Sequence, residues 1–251
     1  MQRKKLVNQL TELLKPFQIS DFCPNGLQVE GKSEIKKIIT GVTASQALID
    51  VAIEKQADAI LVHHGYFWKG EDQPITGMKK RRIQSLLAHD INLLAYHLPL
   101  DVHPELGNNA QLGQLLDLIV ERPLEPWNKS SVAVKGKLKT PMTTDEFAQL
   151  IENKLDRAPL MNQAGEHKIE TIAWCTGGGQ SFIDLAASQG IDAYLTGEAS
   201  EQTIHSSNEQ GIHFFAAGHH ATERYGVKAL GEYLADKYDL DVEFVDINNP
   251  V

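Results

Sequence analysis

Short unbroken apolar runs alternate along this chain with stretches whose apolar residues return every three or four positions, the marks of buried strands and amphipathic helices. In the first half, residues 38–42 and 59–62 predict strands, and residues 46–55 a helix with Leu48, Val51 and Ala52 on its inner face. A helix over 82–89, a strand over 92–96 and a helix over 109–116 follow. In the second half the same reading predicts strands over 169–173, 193–196, 214–217 and 242–245, with helices over 182–189, 201–209 and 224–237. Strand and helix take turns, so the fold class is α/β and the expected pairing mostly parallel.

The chain repeats itself. ITGVTASQALIDVAIEKQADAILVHHG, from Ile39, aligns with AWCTGGGQSFIDLAASQGIDAYLTGE, from Ala173, and one shift of 134 pairs Gln46 with Gln180, Asp50 with Asp184, Asp58 with Asp192 and Leu61 with Leu195. A second shift, of 122, pairs Ala95 with Ala217, His97 with His219 and Asp101 with Glu223, so that each half carries His-x-x-x-acid after an apolar run. An internal duplication explains this most simply. The expected organisation is a first α/β half over 1–122, a short connecting segment over 123–166 and a second α/β half over 167–251, together one metal-binding unit. Within the proline-rich connecting segment, 132–138 predicts a strand and 144–154 a helix opened by Thr144, with Phe147, Leu150 and Ile151 facing inward.

Composition narrows the setting. At 251 residues and 42% hydrophobic content the chain can bury a real core. MQRKKLVNQLTELLK opens with basic residues but lacks the apolar core and cleavage site of a secretory signal, and no apolar run nears the roughly 18 residues of a membrane span. Cys23 and Cys175 are too few for a disulfide framework, so a reducing cytoplasm is expected. The net charge of -9 opposes broad attraction to nucleic acid or to an anionic membrane, leaving local patches to be weighed separately.

Five side chains stand where an α/β sheet collects its ligand-binding groups, just beyond the carboxyl ends of strands. His63 and His64 follow the strand 59–62, and neighbours on extended chain point to opposite sides, which suits two ions rather than one. Asp101 lies past the strand 92–96 and His219 past the strand 214–217. Glu223 comes four residues later, on the same face if the chain there is helical. Imidazole with carboxylate suits zinc, iron, manganese or a similar divalent ion, and Glu223 or Asp101 could bridge a pair of them. A histidine pair at a strand end also serves structural roles; the repeated His-x-x-x-acid favours metal.

Four strings, PNGLQVEG from Pro24, VHHG from Val62, HLPLD from His97 with GNN from Gly107, and GHHATE from Gly218, resemble in identity and order the GTP cyclohydrolase 1 type 2 homolog family, also called Nif-three-like dinuclear metal-centre proteins. The resemblance covers nearly the whole chain and is to the compact bacterial type. It implies a Nif-three-like fold and two divalent metal ions per chain, with His64 and Asp101 on one ion, His63 and His219 on the other, and Glu223 bridging. It also implies a homohexameric ring whose metal sites face an internal cavity. His97 matches a family histidine that would stand beside the ions and orient Asp101 or a water. His220 occupies a position where many relatives have tyrosine and is not counted as a ligand.

Other features admit plainer readings. Gly177-Gly178-Gly179 could receive phosphate but reads better as a tight turn, and Tyr66, Phe67 and Trp68 could stack on a base, shield the site or simply pack. Lys79, Lys80, Arg81 and Arg82 could meet phosphates, with a solvated helix start or a subunit contact preferred. His89, His103, His167, His205 and His213 are read as structural or exposed, and Asn25-Gly26 as a turn. The expected function is that of a metal-dependent hydrolase acting on a nucleotide or related small molecule. The alternatives are a non-catalytic metal-handling or regulatory protein and a ring-shaped protein associated with single-stranded nucleic acid or DNA repair.

Overall fold

Leu6, Leu10 and Leu14 stand four residues apart and line the buried side of the first helix, α1 (Arg3–Leu14). It ends where Lys15 turns left-handed and returns its N–H to the Thr11 carbonyl. The structure, a computed structural model, describes residues 1–128 and 130–251. After α1 come β1 (Gly26–Val29), β2 (Lys37–Thr43), α2 (Gln46–Glu54), β3 (Ala59–His64), α3 (Gly77–Ala88), β4 (Asn92–Ala95) and the single turn α4 (Leu98–Asp101). Then follow α5 (Asn108–Leu115), β5 (Leu118–Pro123), β6 (Val134–Met142), α6 (Thr144–Leu155), β7 (Leu160–Asn162), β8 (Ile169–Cys175), α7 (Ile183–Ser188), β9 (Ala193–Thr196), α8 (Glu201–Gln210), β10 (His213–Ala216), α9 (His219–Tyr238) and β11 (Asp241–Phe244).

These elements build two units, Met1–Gly107 with Gly226–Asn248, and Asn108–Tyr225 with Asn249–Val251. The first holds a sheet ordered β1-β4-β3-β2-β11, parallel except for β1. Its successive residues serve opposite faces. Ile39, Ile60 and Leu93 join one apolar cluster with Leu48 of α2 and Leu86 of α3, whereas Ile38, Leu61 and Leu94 join another with Leu6 and Leu10 of α1 and Val227, Leu230 and Leu234 of α9. Burial on both faces is why these strands read as unbroken apolar runs.

The second unit holds a sheet ordered β5-β6-β8-β9-β10-β7, with β8, β9 and β10 parallel and antiparallel partners on both sides. Ile172, Trp174 and Phe215 pack toward α6, and Ala173, Tyr194 and Phe214 toward α7. The fold is thus two similar α/β halves, and the likeness reaches single bonds. Ile38 pairs with Ala59 as Ile172 pairs with Ala193, an offset of 134 on both strands. Asp58 Oδ2 accepts the N–H groups of Lys36 and Lys37 at 2.9 and 3.0 Å, and Asp192 Oδ2 those of Glu170 and Thr171 at 3.1 and 2.8 Å.

Several expectations shift. Inside the segment expected to connect the halves, α6 buries Phe147, Ile151 and Leu155 and ends on left-handed Asp156, repeating α1, and β7 lies antiparallel to β10 as β1 does to β4. The cap of α6 is Thr143 rather than Thr144, because Glu146 stands three residues on and closes a capping box. Helix α3 begins at Gly77, earlier than expected, since its opening is mostly basic and its one early apolar residue, Met78, is exposed. The last strand, β11, completes the first unit's sheet beside β2. The backbone also corrects the second offset. Val62 pairs with Ala95 and Thr196 with Ala216, a shift of 121, so His97 corresponds to Gly218, and the repeated His-x-x-x-acid is not equivalent position by position.

Candidate metal centre

Strand β3 runs on through His63 and His64, so the pair are the strand's last residues and not the first beyond it. His63 is fully buried and His64 is half-buried, as opposite-facing neighbours. His63 Nδ1 lies 3.0 Å from the Tyr96 carbonyl. A carbonyl only accepts, so Nδ1 carries the proton and Nε2 keeps its lone pair. That Nε2 lies 3.5 Å from Asp101 Oδ1, and Asp101, closing α4, is itself buried. His64 Nδ1 is 3.3 Å from the Thr43 hydroxyl of the adjoining strand.

His97 completes a three-imidazole group: it, His63 and His64 each offer a ring nitrogen within 4.8 Å of the other two. The resemblance has it orient Asp101 or a water; its Nδ1 is held by Asp21, whose Oδ1 lies 2.7 Å away. Asp21 Oδ2 accepts the Leu98 N–H and the Asn25 side-chain amide, and Asn25 Oδ1 accepts the His97 N–H. Burial opposes charge on Asp21, but hydrogen bonds from His97 and Asn25 outweigh it and hold the carboxyl below its usual value. Cys23 also lies near, yet burial and the Asp21 charge push its thiol up to about 12, so it stays protonated.

The string PNGLQVEG thereby gains a physical role. Asn25 ties His97 in place, and Gln28 accepts the Tyr66 N–H while donating to the Tyr66 carbonyl, fixing the loop after β3. A side chain at Gly65 would meet Gln28 Oε1 at 2.2 Å, which accounts for the glycine after the histidines. Tyr66 is core, its hydroxyl donating to the Ala44 carbonyl; Trp68 sets its ring edge-on to His97 at 4.9 Å. Lys79, in the first turn of α3, pairs with Glu71 at 3.3 Å and lies over the Phe67 ring.

In the second unit His219 opens α9, and Glu223 lies one turn on with Oε2 3.2 Å from His219 Nε2. The other ring nitrogen, Nδ1, is 2.6 Å from Glu198 Oε1. Burial alone would lower the His219 pKa, but Glu223 and Glu198 together raise it to about 9. Glu198 escaped the sequence reading although the offset of 134 sets it opposite His64. The glycine run is the tight turn expected: Gly177 N–H donates to the Thr222 hydroxyl and Gly179 N–H to the Thr196 hydroxyl. Gly177 sits at φ +66, and a Cβ there would fall 2.1 Å from Glu223 Oε1.

Each unit thus gathers imidazole and carboxylate donors with no ionised thiolate among them, and this chemistry fits a first-row divalent ion. Three of the remaining histidines make contacts within the fold. His103 Nδ1 accepts two N–H groups of its own loop, and His167 and His213 stack at 4.0 Å.

The sequence profile of the Duf34/NIF3 (NGG1p interacting factor 3) family matches residues 1–250. Proteins of Pasteurella multocida and Haemophilus influenzae, each named GTP cyclohydrolase 1 type 2 homolog, are 63% identical over 251 residues, which is all of this chain and 100% and 98% of theirs. Among solved structures, a protein called ybgI, of unknown function, is 56% identical with a TM-score of 0.96, and one from Thermus thermophilus is 36% identical with a TM-score of 0.89. Both alignments cover 100% of each chain. This chain belongs to the Duf34/NIF3 family.

Proposed function

We propose that this protein binds two divalent metal ions through His63, His64 and Asp101 of its first unit and His219 and Glu223 of its second, and acts as a metal-dependent hydrolase on a nucleotide or related small molecule. The observation that carries the reading is the holding of His63, whose Nδ1 proton is committed to the Tyr96 carbonyl so that Nε2 is presented, inside a buried site, beside Asp101. Held by these residues, a pair of divalent ions would supply a water of lowered pKa, towards about 7, and positive charge suited to hydrolysis of a C–N or phosphoester bond. Asp21 and Asn25 hold His97, and the Trp68 ring lies edge-on against it. The name shared by the relatives favours a purine nucleotide as substrate class. No helix among the described residues is long and apolar enough to cross a membrane. A cytoplasmic homohexameric ring accords with this reading.

The test is elemental analysis of purified protein reconstituted with zinc, iron or manganese, followed by a screen against nucleotides, phosphodiesters and cyclic amides. His64→Ala and Glu223→Ala should each lower metal content and abolish any turnover found. Wild-type protein that stays substoichiometric in every metal would remove the ligand assignment. Tight, exchangeable metal with no turnover would move the function to metal handling.

A further inference from the structure

We propose that Glu198 is a positioning residue for a metal ligand, holding the His219 ring by Nδ1 so that Nε2 is delivered to the ion; this rests on the metal-binding reading above. Glu198 follows Gly197 just beyond the end of β9. Its backbone is pinned, since Gly197 N–H donates to the Gly177 carbonyl and Gly218 N–H to the Gly197 carbonyl. The carboxylate is steadied as well: Oε2 receives the Gln180 side-chain amide at 3.4 Å while Oε1 takes His219 Nδ1 at 2.6 Å.

The partner differs in kind from those of the other two candidate histidines. His63 meets a backbone carbonyl at Nδ1 and His64 a threonine hydroxyl, both neutral. His219 meets a carboxylate, which fixes the tautomer with the proton on Nδ1 and makes Nε2 a stronger donor to a cation. Nε2 lies 3.2 Å from Glu223 Oε2, so the ring nitrogen left unprotonated by this tautomer points at the carboxylate that would hold the same ion. The duplication gives the arrangement a history. The position that in the first copy supplies His64, a ligand, supplies in the second copy the group that carries its neighbour's imidazole.

Partners of this kind are worth about 10- to 100-fold in metal affinity. Glu198 and His219 are about a third exposed, with side-chain exposures of 36% and 30%, so the lower end, about 10-fold, is expected. Zn²⁺ affinity would be measured by chelator competition, ions per chain by elemental analysis, and the histidine ring nitrogens by nitrogen-15 spectra, for wild type and Glu198→Gln in the full chain. The expected result is unchanged stoichiometry, affinity lowered about 10-fold, and a ring Nδ1–H signal of the zinc-loaded wild type that shifts in the variant.

Wild-type affinity in Glu198→Gln overturns the proposal, as does loss of a whole ion per chain, which would make Glu198 itself a ligand. If the variant does not fold, the wild-type spectrum decides: a His219 Nδ1 without a proton in the loaded protein overturns it. Wild type that takes up no zinc fails before any variant is compared, and that failure belongs to the metal reading.

Discussion

Replacing Gly177 by alanine separates two costs that glycine substitutions usually mix. Gly177 and Gly211 hold nearly the same left-handed backbone, φ +66 and +68. A Cβ at Gly211 meets nothing within 4 Å, whereas one at Gly177 falls 2.1 Å from Glu223 Oε1 and 3.0 Å from His219 Nε2. Gly211→Ala therefore carries the conformational penalty alone, about 1 kcal/mol, which lowers Tm by about 2–4 °C in a chain of this size. Gly177→Ala carries the same penalty and must also displace a carboxylate that is 3% exposed. Glu223 can swing aside only out of the position in which it meets His219. Loss of that partly buried pairing adds about 1 kcal/mol, the lower end for such a group, and the displaced carboxylate should cut zinc content well below that of Gly211→Ala. The assay is urea unfolding of both variants alongside zinc per folded chain. Equal stability and equal zinc in the two would refute the claim that Gly177 is glycine for the sake of Glu223.

The twin anchors Asp58 and Asp192 should respond alike: Asp58→Ala and Asp192→Ala each strand two backbone N–H groups and should cost about 2–3 kcal/mol in chemical denaturation. Burial resists the charge on Asp58, but Lys32 and the two N–H groups keep its carboxyl below its usual value. Its contribution is therefore full above about pH 4 and fades as pH falls further, so the Asp58→Ala deficit should shrink in acid; a deficit independent of pH would sink this account. For His219 the sign is opposite, since its pKa is raised to about 9. The stability it lends the metal-free protein is complete below about pH 6.5 and lost as pH rises through about 9. Zinc uptake at pH 7 should accordingly release protons, and calorimetry in buffers of different ionisation enthalpy would detect their absence.

Much of the fold is legible in the sequence because strands buried on both faces leave unbroken apolar runs, as in residues 59–62 and 193–196. The elements that escaped are those whose signal is short or mixed. Strand β7 spans three residues, and β5 is exposed along much of its length. Helix α1 carries its apolar side at Leu6, Leu10 and Leu14, a spacing open to view and masked by the basic residues around it. The candidate ligands could be named because they stand at or just past strand ends and inside the strings that resemble the family, and each unit sets imidazole beside carboxylate. Their supports could not: Asp21 lies 76 positions from His97 and Glu198 lies 21 from His219, distances that no local pattern spans. The offset of 122 shows the opposite hazard, a sequence coincidence one residue out of step with the backbone.

The placement of β11 and of α9 from Gly226 onward in the first unit bears on how the chain is made. On the ribosome the opening residues of that unit emerge first, yet the strand that borders β2 and the helix that covers Leu6 and Leu10 are translated only after residues 108–225. The usual order, in which the earlier region folds first, is thereby inverted. The second unit, nearly continuous in sequence, can close while the first still lacks the strand that borders β2 and the α9 residues that share a cluster with Leu6 and Leu10.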